Sequence, residues 1–136
     1  MTSEPLMQPL RLRYWWLSGG VLWVATVLYL TLMPAIGGWG WAVTVNDKFG
    51  HFIAFFVLMA WFGGVYARAN WRFVAVALAA FGIAIELIQG QLSYRSAEFA
   101  DMLYDFAGIG AAWICVRLGF GRWALRIESW WFEPPG

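Results

Sequence analysis

Charge is scarce in this sequence. Only 12% of its 136 residues are Asp, Glu, Lys or Arg, which is about half of the roughly 25% found in soluble domains. Hydrophobic residues make up 62% of the chain, and 11 of them are tryptophans. A chain of this length is expected to form one folding unit, residues 1–136. With so little charge to face water, that unit is expected to be solvated by lipid.

The low net charge and the single cysteine exclude further classes of function and site. The net charge is only +1 and no basic face emerges, so the chain is not expected to bind nucleic acid. Cys115 is the single cysteine, which excludes an internal disulfide and a cysteine-based metal site. A lone cysteine in such a chain is expected to be buried and to act as a small apolar side chain.

Four apolar segments approach the length of about 20 residues that a helix needs to cross a bilayer. They run from about Tyr14 to Met33, Lys48 to Ala67, Phe73 to Leu92 and Asp101 to Phe120. The last two contain Glu86 and Asp105, but they are rich in Ala and Gly, as packed membrane helices are. The first is too long for a signal-peptide core and is expected to be retained. The fold class predicted is all-α: a polytopic membrane protein with four transmembrane helices.

The basic residues predict the orientation. With four spans, only Lys48 and Arg95 of the nine basic residues fall on one side. The other seven share the opposite side: Arg11, Arg13, Arg68, Arg72, Arg117, Arg122 and Arg126. The positive-inside rule then places both termini in the cytoplasm. The expected location is a bacterial-type inner membrane.

Two segments outside the spans also carry predictions. In the tail, residues 121–136, an apolar helical face formed by Trp123, Ile127, Trp130 and Trp131 predicts a short helix lying along the cytoplasmic headgroups, with Arg122, Arg126 and Glu133 elsewhere on the helix. The stretch AIGGWGWAVTVN, residues 35–46, is expected to form an outer loop.

The ionisable residues are expected to share one layer near the outer ends of the second, third and fourth helices. At 1.5 Å per residue, His51, Glu86 and Asp105 lie roughly 5 to 9 Å inside those ends. Burying such groups against lipid costs several kcal/mol each, so they should face one another or a wet cavity. The predicted ligand-binding residues of this polar pocket are Asp47, Lys48, His51, Glu86, Gln89, Arg95, Asp101 and Asp105.

Simpler roles remain open for these charges. Charged residues at helix ends often only mark the membrane boundary, and Asp47 or Asp101 could serve as a favourable negative charge at a helix N-terminus. Glu98, in the outer loop, could likewise do no more than mark the membrane boundary. The whole layer could also do no more than hold the helices together.

Several residues of this layer resemble the VanZ-like family of small membrane proteins. The matching set is Asp47-Lys48-x-x-His51, the aromatic-rich helix through Phe55 and Phe56, Glu86-x-x-Gln89, Arg95, Asp101 and Gly108. The resemblance covers about residues 44–116. At position 105 the family usually has Asn, and this chain has Asp. The family is named for accessory proteins linked to glycopeptide-antibiotic resistance, so the resemblance implies an architecture and a polar face but no particular reaction.

Three functions follow as hypotheses. In the first, the pocket binds an outer-leaflet lipid, a lipid-linked cell-envelope precursor or a membrane protein partner, with Arg95 and Lys48 suited to phosphate. In the second, a hydrolase or transferase acts on a lipid-linked phosphate, with His51 as acid or base and Glu86 and Asp101 as further catalytic candidates. The third, proton-coupled transport, is disfavoured because the ionisable groups stop at one depth.

No cofactor is predicted from the sequence. One His with several carboxylates could bind Mg²⁺ or Mn²⁺, but no ligand spacing compels a metal site, and zinc is disfavoured. No Ser or Cys stands in a recognisable nucleophile motif.

Overall fold

The computed structural model describes residues 5–34 and 47–132, and the regular elements of these residues are helices, without a β-strand. The helices are α1 (Arg13–Leu32), α2 (Asp47–Val65), α3 (Trp71–Gln89), α4 (Phe99–Arg117) and α5 (Trp123–Phe132). One 3₁₀ turn, Arg68–Asn70, precedes α3, and another, Phe120–Arg122, precedes α5.

Four of these helices, α1 to α4, are long and apolar enough to cross a membrane, the α3 span being counted with its preceding turn. This is the pattern of a multi-pass membrane protein, and the prediction of an all-α fold with four such helices is confirmed. Each helix begins and ends one to three residues before the predicted bounds. The predicted outer loop, residues 35–46, and Glu133 lie outside the described residues.

Helix α2 lies at the centre of the bundle and packs most closely against α4. Phe55, Leu58 and Met59 of α2 are fully buried. Gly108 of α4 lies directly against the backbone of Phe52 on α2, and a methyl group there would collide with the Phe52 carbonyl oxygen. Small residues let membrane helices approach this closely, so Gly108 sets the distance between the two helices.

Helix α1 lies at the edge of the bundle. Gly20 and Val27 are its only buried residues, and most of its large side chains are exposed. Part of its contact surface is formed by Gly19 and Gly20, where a methyl group would meet the rings of Trp61 and Phe62. Val27 forms another part and belongs to the buried core. Much of α1 is therefore not covered by the other described helices, and its glycine stripe lies against α2.

The end of the bundle that carries the first residue of α1 is closed by tryptophans. Trp16, Trp61 and Trp123 have ring centroids 5.1 to 6.0 Å apart. The Trp123 indole also donates a hydrogen bond of 3.0 Å to the carbonyl oxygen of Ala60. The α5 helix is present as predicted, but Trp123 faces the bundle while Trp130 remains exposed. Only part of the expected apolar face is thus available to a membrane surface.

Glu128 of α5 binds the beginning of α1. Its Oε2 accepts a hydrogen bond from the backbone N–H of Arg11 at 2.7 Å, and its Oε1 accepts from the N–H of Leu12 at 2.9 Å and the indole of Trp16 at 2.8 Å. Burial raises the pKa of this carboxyl, but these three hydrogen bonds outweigh burial and bring its pKa below the usual range. Glu128 therefore caps a helix that lies more than 100 residues away in sequence.

Candidate functional site at the polar end of the bundle

The opposite end of the bundle gathers most of the predicted site residues, and we call it the polar end. It is formed by the last turns of α1 and α3 and the first turns of α2 and α4. Since consecutive helices alternate in direction, a polar stripe at the beginning of α2 and α4 meets one at the end of α3. Five polar or charged side chains at this end are at most 4% exposed: His51, Glu86, Gln89, Asp101 and Asp105.

The deepest contact of the polar end joins His51 of α2 to Asp105 of α4. The Nδ1 of His51 lies 2.8 Å from Oδ1 of Asp105, and both residues are buried. In a neutral ring the carboxylate selects the tautomer with the proton on Nδ1, which leaves a lone pair on Nε2. The sequence predicted that these two residues share a site, and the structure brings them together directly.

Asp101 lies one turn above Asp105 on α4 and faces the other nitrogen of the same ring. Its Oδ2 is 3.9 Å from Nε2 of His51. Its Oδ1 is buried and has no hydrogen-bond partner in the described part of the chain. Asp47 of α2 completes this group, because Asp47, His51 and Asp101 each offer one ligating atom and the three atoms lie within 4.8 Å of one another.

Lys48 and Glu98 form the outer rim of the polar end. Their side chains make a salt bridge of 2.9 Å and are 45% and 51% exposed. The hydrogen bond from Lys48 holds the pKa of Glu98 below its usual range. The Lys48 Nζ also lies 3.8 Å from Oδ1 of Asp101. Lys48 is thus the one cation beside the buried carboxylates among the residues described.

Glu86 of α3 binds the beginning of α4. Its Oε2 accepts a hydrogen bond of 3.0 Å from the backbone N–H of Glu98, the residue that precedes α4. Its Oε1 is buried, and none of the described residues donates a hydrogen bond to it. A carboxylate is favourable at a helix N-terminus, so Glu86 fixes the entry into α4. Within the described chain it hydrogen-bonds neither His51 nor Arg95.

Gln89 and Arg95 bind the last turn of α1. The Gln89 amide donates to the carbonyl oxygen of Thr31 at 2.9 Å, and Arg95 Nη2 donates to that of Met33 at 3.2 Å. Arg95 forms no salt bridge with an acidic side chain of the residues described, and its Nε is buried without a partner. Both side chains therefore satisfy carbonyl groups that α1 leaves free at its C-terminus.

Gly82 of α3 is a site residue that the sequence reasoning missed. A methyl group at this position would lie 2.7 Å from Oδ2 of Asp105 and 3.2 Å from the ring of Phe55. The missing side chain therefore leaves room for the Asp105 carboxylate. One signal was present, because Gly82 precedes Glu86 by four residues and so lies on the same face of the helix.

Comparison of the chain with models of protein families, with curated proteins and with solved structures finds no match.

Proposed function

We propose that this chain is a VanZ-like membrane protein whose polar end lies in the outer leaflet and binds the headgroup of a membrane lipid or of a lipid-linked cell-envelope precursor, in an accessory role. The distribution of basic residues supports this orientation, because seven of the nine lie at the end that carries α5. The residues of the family resemblance support the location, since the side chains of Asp47, Lys48, His51, Glu86, Gln89, Arg95 and Asp101 lie at the polar end.

The observation that carries the proposal is a set of buried oxygens without hydrogen-bond donors. Within residues 5–34 and 47–132, no hydrogen-bond partner lies near three buried oxygens: Glu86 Oε1, Asp101 Oδ1 and Asp105 Oδ2. Leaving a buried polar group unsatisfied costs about 1–3 kcal/mol, and more when it is charged. A ligand that brings hydroxyl or ammonium groups would satisfy these acceptors, as the sugar or amine part of a headgroup does.

The phosphate of such a headgroup would bind at the rim. Lys48 is exposed there, and Arg95 lies in the loop between α3 and α4 with one guanidinium nitrogen unpaired. Both cations hold other partners, so a phosphate must displace a carboxylate or a helix carbonyl. Arg95 offers a two-pronged donor that fits phosphate, whereas Lys48 offers a point charge.

Native mass spectrometry of the purified protein tests this proposal. We expect a co-purified lipid adduct whose fragmentation identifies a phosphate headgroup with hydroxyl or amine groups. Asp101→Asn and Arg95→Ala should each reduce the adduct at least several-fold, and Arg95→Lys should reduce it less than Arg95→Ala. Arg126→Ala is the matched control, because it removes an arginine from α5 at the other end of the chain's bundle. If the amount of adduct falls with Arg126→Ala but not with Asp101→Asn or Arg95→Ala, a headgroup site at the polar end is disproved.

Catalysis is the second candidate function, and the His51–Asp105 contact is the observation that favours it. A carboxylate that orients an imidazole is a common arrangement for a general base. Nε2 of His51 faces Asp101 and is the nitrogen available for proton transfer. In this hypothesis the protein hydrolyses or transfers a lipid-linked phosphate, with His51 as acid or base.

A phosphate-release assay on lipid-linked diphosphates in detergent distinguishes catalysis from binding. An enzyme should lose at least 100-fold in kcat with His51→Gln, and it should keep substrate binding by mass spectrometry. Equal turnover by the wild type and His51→Gln would exclude His51 as the acid or base. Turnover at the rate of protein-free detergent leaves the binding function as the better account.

A further inference from the structure

We infer that Asp47, His51 and Asp101 form a binding site for a divalent transition-metal ion, with Asp105 holding His51 in the ligating orientation. This site does not depend on the headgroup proposal, because it concerns a cation and can be tested without lipid-linked ligands. The sequence alone led to the expectation of no metal. Only the meeting of α2 and α4 brings Asp101 to the pair formed by Asp47 and His51.

The three candidate ligating atoms lie close to the distances that one ion requires. Two atoms bound to the same metal at about 2.1 Å can be at most about 4.2 Å apart. His51 Nε2 and Asp101 Oδ2 are 3.9 Å apart, and all three ligating atoms lie within 4.8 Å. Asp47 stands in the first turn of α2 and is only half-buried, so its carboxylate can move the remaining few tenths of an ångström by a change of rotamer.

The His51 ring is prepared for a metal. Metal-ligating histidines usually donate their second ring N–H to a carboxylate, which fixes the tautomer and makes the ligating nitrogen more basic. Asp105 accepts in this way from Nδ1 at 2.8 Å, while Nε2 faces Asp101. Asp105 is therefore a positioning residue, and Gly82 leaves it the room to hold that place.

A separate observation on Asp101 also favours a bound cation. Asp101 is 3% exposed, and its Oδ2 lies 3.9 Å from His51 Nε2. Its other oxygen, Oδ1, has no hydrogen-bond partner among the residues that the structure describes. The nearest positive charge, Lys48 Nζ, stays 3.8 Å away from that oxygen and is closer to Glu98, at 2.9 Å. An ion between Asp101 and His51 would supply the charge that the carboxylate lacks, and Lys48 would keep its partner Glu98.

The ligand types narrow the choice of metal. Imidazole suits first-row transition metals, and carboxylates suit the harder ions, so one nitrogen with two carboxylates fits Mn²⁺ or Zn²⁺ better than Mg²⁺ or Ca²⁺. Three protein ligands leave at least one coordination position open. The two ligating carboxylates also offset the charge of a divalent ion, which lowers the cost of burying it.

Mn²⁺ binding to the whole chain tests this inference. The protein is purified without a histidine tag, stripped with a chelator and placed in phosphatidylcholine nanodiscs, and free Mn²⁺ is followed by electron paramagnetic resonance during titration. We expect one saturable site, competed by Zn²⁺ and not by equal Mg²⁺. Pulsed spectra should show coupling to one imidazole nitrogen, and His51 is the only histidine of the chain. The site would be overturned by the absence of saturable binding at free Mn²⁺ concentrations up to about 1 mM, the range of weak affinity. Bound Mn²⁺ without imidazole coupling would overturn it as well.

Variants separate specific ligation from attraction to an acidic surface. Asp101→Asn should weaken Mn²⁺ binding at least 100-fold, and Asp105→Asn about 10-fold, since outer partners of a ligand typically matter 10–100-fold. Glu98→Gln is the matched control, measured in a Lys48→Gln background so that no freed ammonium group approaches Asp101. It removes a negative charge from the same end but no ligand, and binding should stay within about two-fold of Lys48→Gln alone. If Glu98→Gln and Asp101→Asn weaken binding equally in that background, the inference is wrong. The headgroup proposal is tested separately, by measuring the lipid adduct of protein that is kept in a chelator.

Discussion

Nδ1 of His51 and Oδ1 of Asp105 lie 2.8 Å apart although 54 positions separate the two residues in the chain. Solvent cannot readily replace this hydrogen bond, since His51 is 4% exposed and Asp105 is 0% exposed. This hydrogen bond therefore ties α2 to α4 at the polar end. It also turns Nε2 of His51 toward Asp101, where either candidate chemistry would take place.

The first prediction separates the hydrogen bond of Asp105 from its charge. Asp105→Asn keeps an oxygen that can accept a hydrogen bond from Nδ1. The free energy of unfolding in detergent should therefore change by no more than about 1 kcal/mol. Asp105→Ala leaves the buried ring nitrogen without a partner, which should lower the free energy of unfolding by about 1–3 kcal/mol. Circular dichroism melting measures both. Equal losses for the two variants would mean that the negative charge, and not the acceptor, holds His51.

The second prediction concerns the close approach of α4 to α2. A methyl group at Gly108 would meet the Phe52 carbonyl oxygen, whereas one at Gly110 would meet nothing within 4 Å. Gly108→Ala should therefore destabilise the protein by about 1–3 kcal/mol through overpacking. Gly110→Ala, on the same helix, should be neutral or stabilising by up to about 1 kcal/mol. The same melting experiment compares them, and a Gly108→Ala protein as stable as Gly110→Ala would contradict the packing described.

The third prediction is a pH dependence at the opposite end of the molecule. The pKa of Glu128 lies below its ordinary value of 4.5 because its hydrogen bonds from Leu12, Arg11 and Trp16 outweigh burial. A lowered folded-state pKa means that this stabilisation is complete above pH 4.5 and is lost as the pH falls through the lowered value. Glu128→Gln should thus cost about 1–3 kcal/mol at pH 7, and the gap from wild type should shrink in acid.

Glu98→Gln is the control for that experiment. Glu98 also has a lowered pKa, but its partner Lys48 is exposed, and exposed ion pairs contribute little. Its melting temperature should stay close to that of the wild type at pH 7. A Glu128→Gln gap that is constant from pH 7 to pH 3 would show that the carboxylate charge of Glu128 is not what stabilises α1.

The fourth prediction is the orientation in the membrane. Reporters fused after Gly136 and inserted at Ala67 should read cytoplasmic, because the basic residues concentrate at that end. A reporter inserted at Ser93, between α3 and α4, should read extracytoplasmic. An inverted pattern would place the polar end in the inner leaflet and remove the outer-leaflet headgroup from consideration.

Much of the candidate site could be predicted because helices make sequence spacing a guide to position. Asp47 and His51, and likewise Asp101 and Asp105, are four residues apart and therefore share a helix face. Depth followed from the 1.5 Å rise, and alternating spans brought the charged ends together. What the spacing could not give was which partner each group takes. Arg95 was expected to meet an anion, and the structure shows it donating to the carbonyl oxygens of Met33 and Leu30.

The sequence by itself determined that four helices can cross a membrane and that their carboxylates and the single histidine collect at one end. Both results follow from local properties, the length of an apolar run and the period of a helix. Only the tertiary structure decided that Asp105 binds His51, that Glu86 caps α4 and that Glu128 caps α1. These pairs depend on how each helix is rotated and how closely glycines such as Gly82 and Gly108 let neighbours approach. That choice is made by packing across the whole bundle, which no single segment encodes.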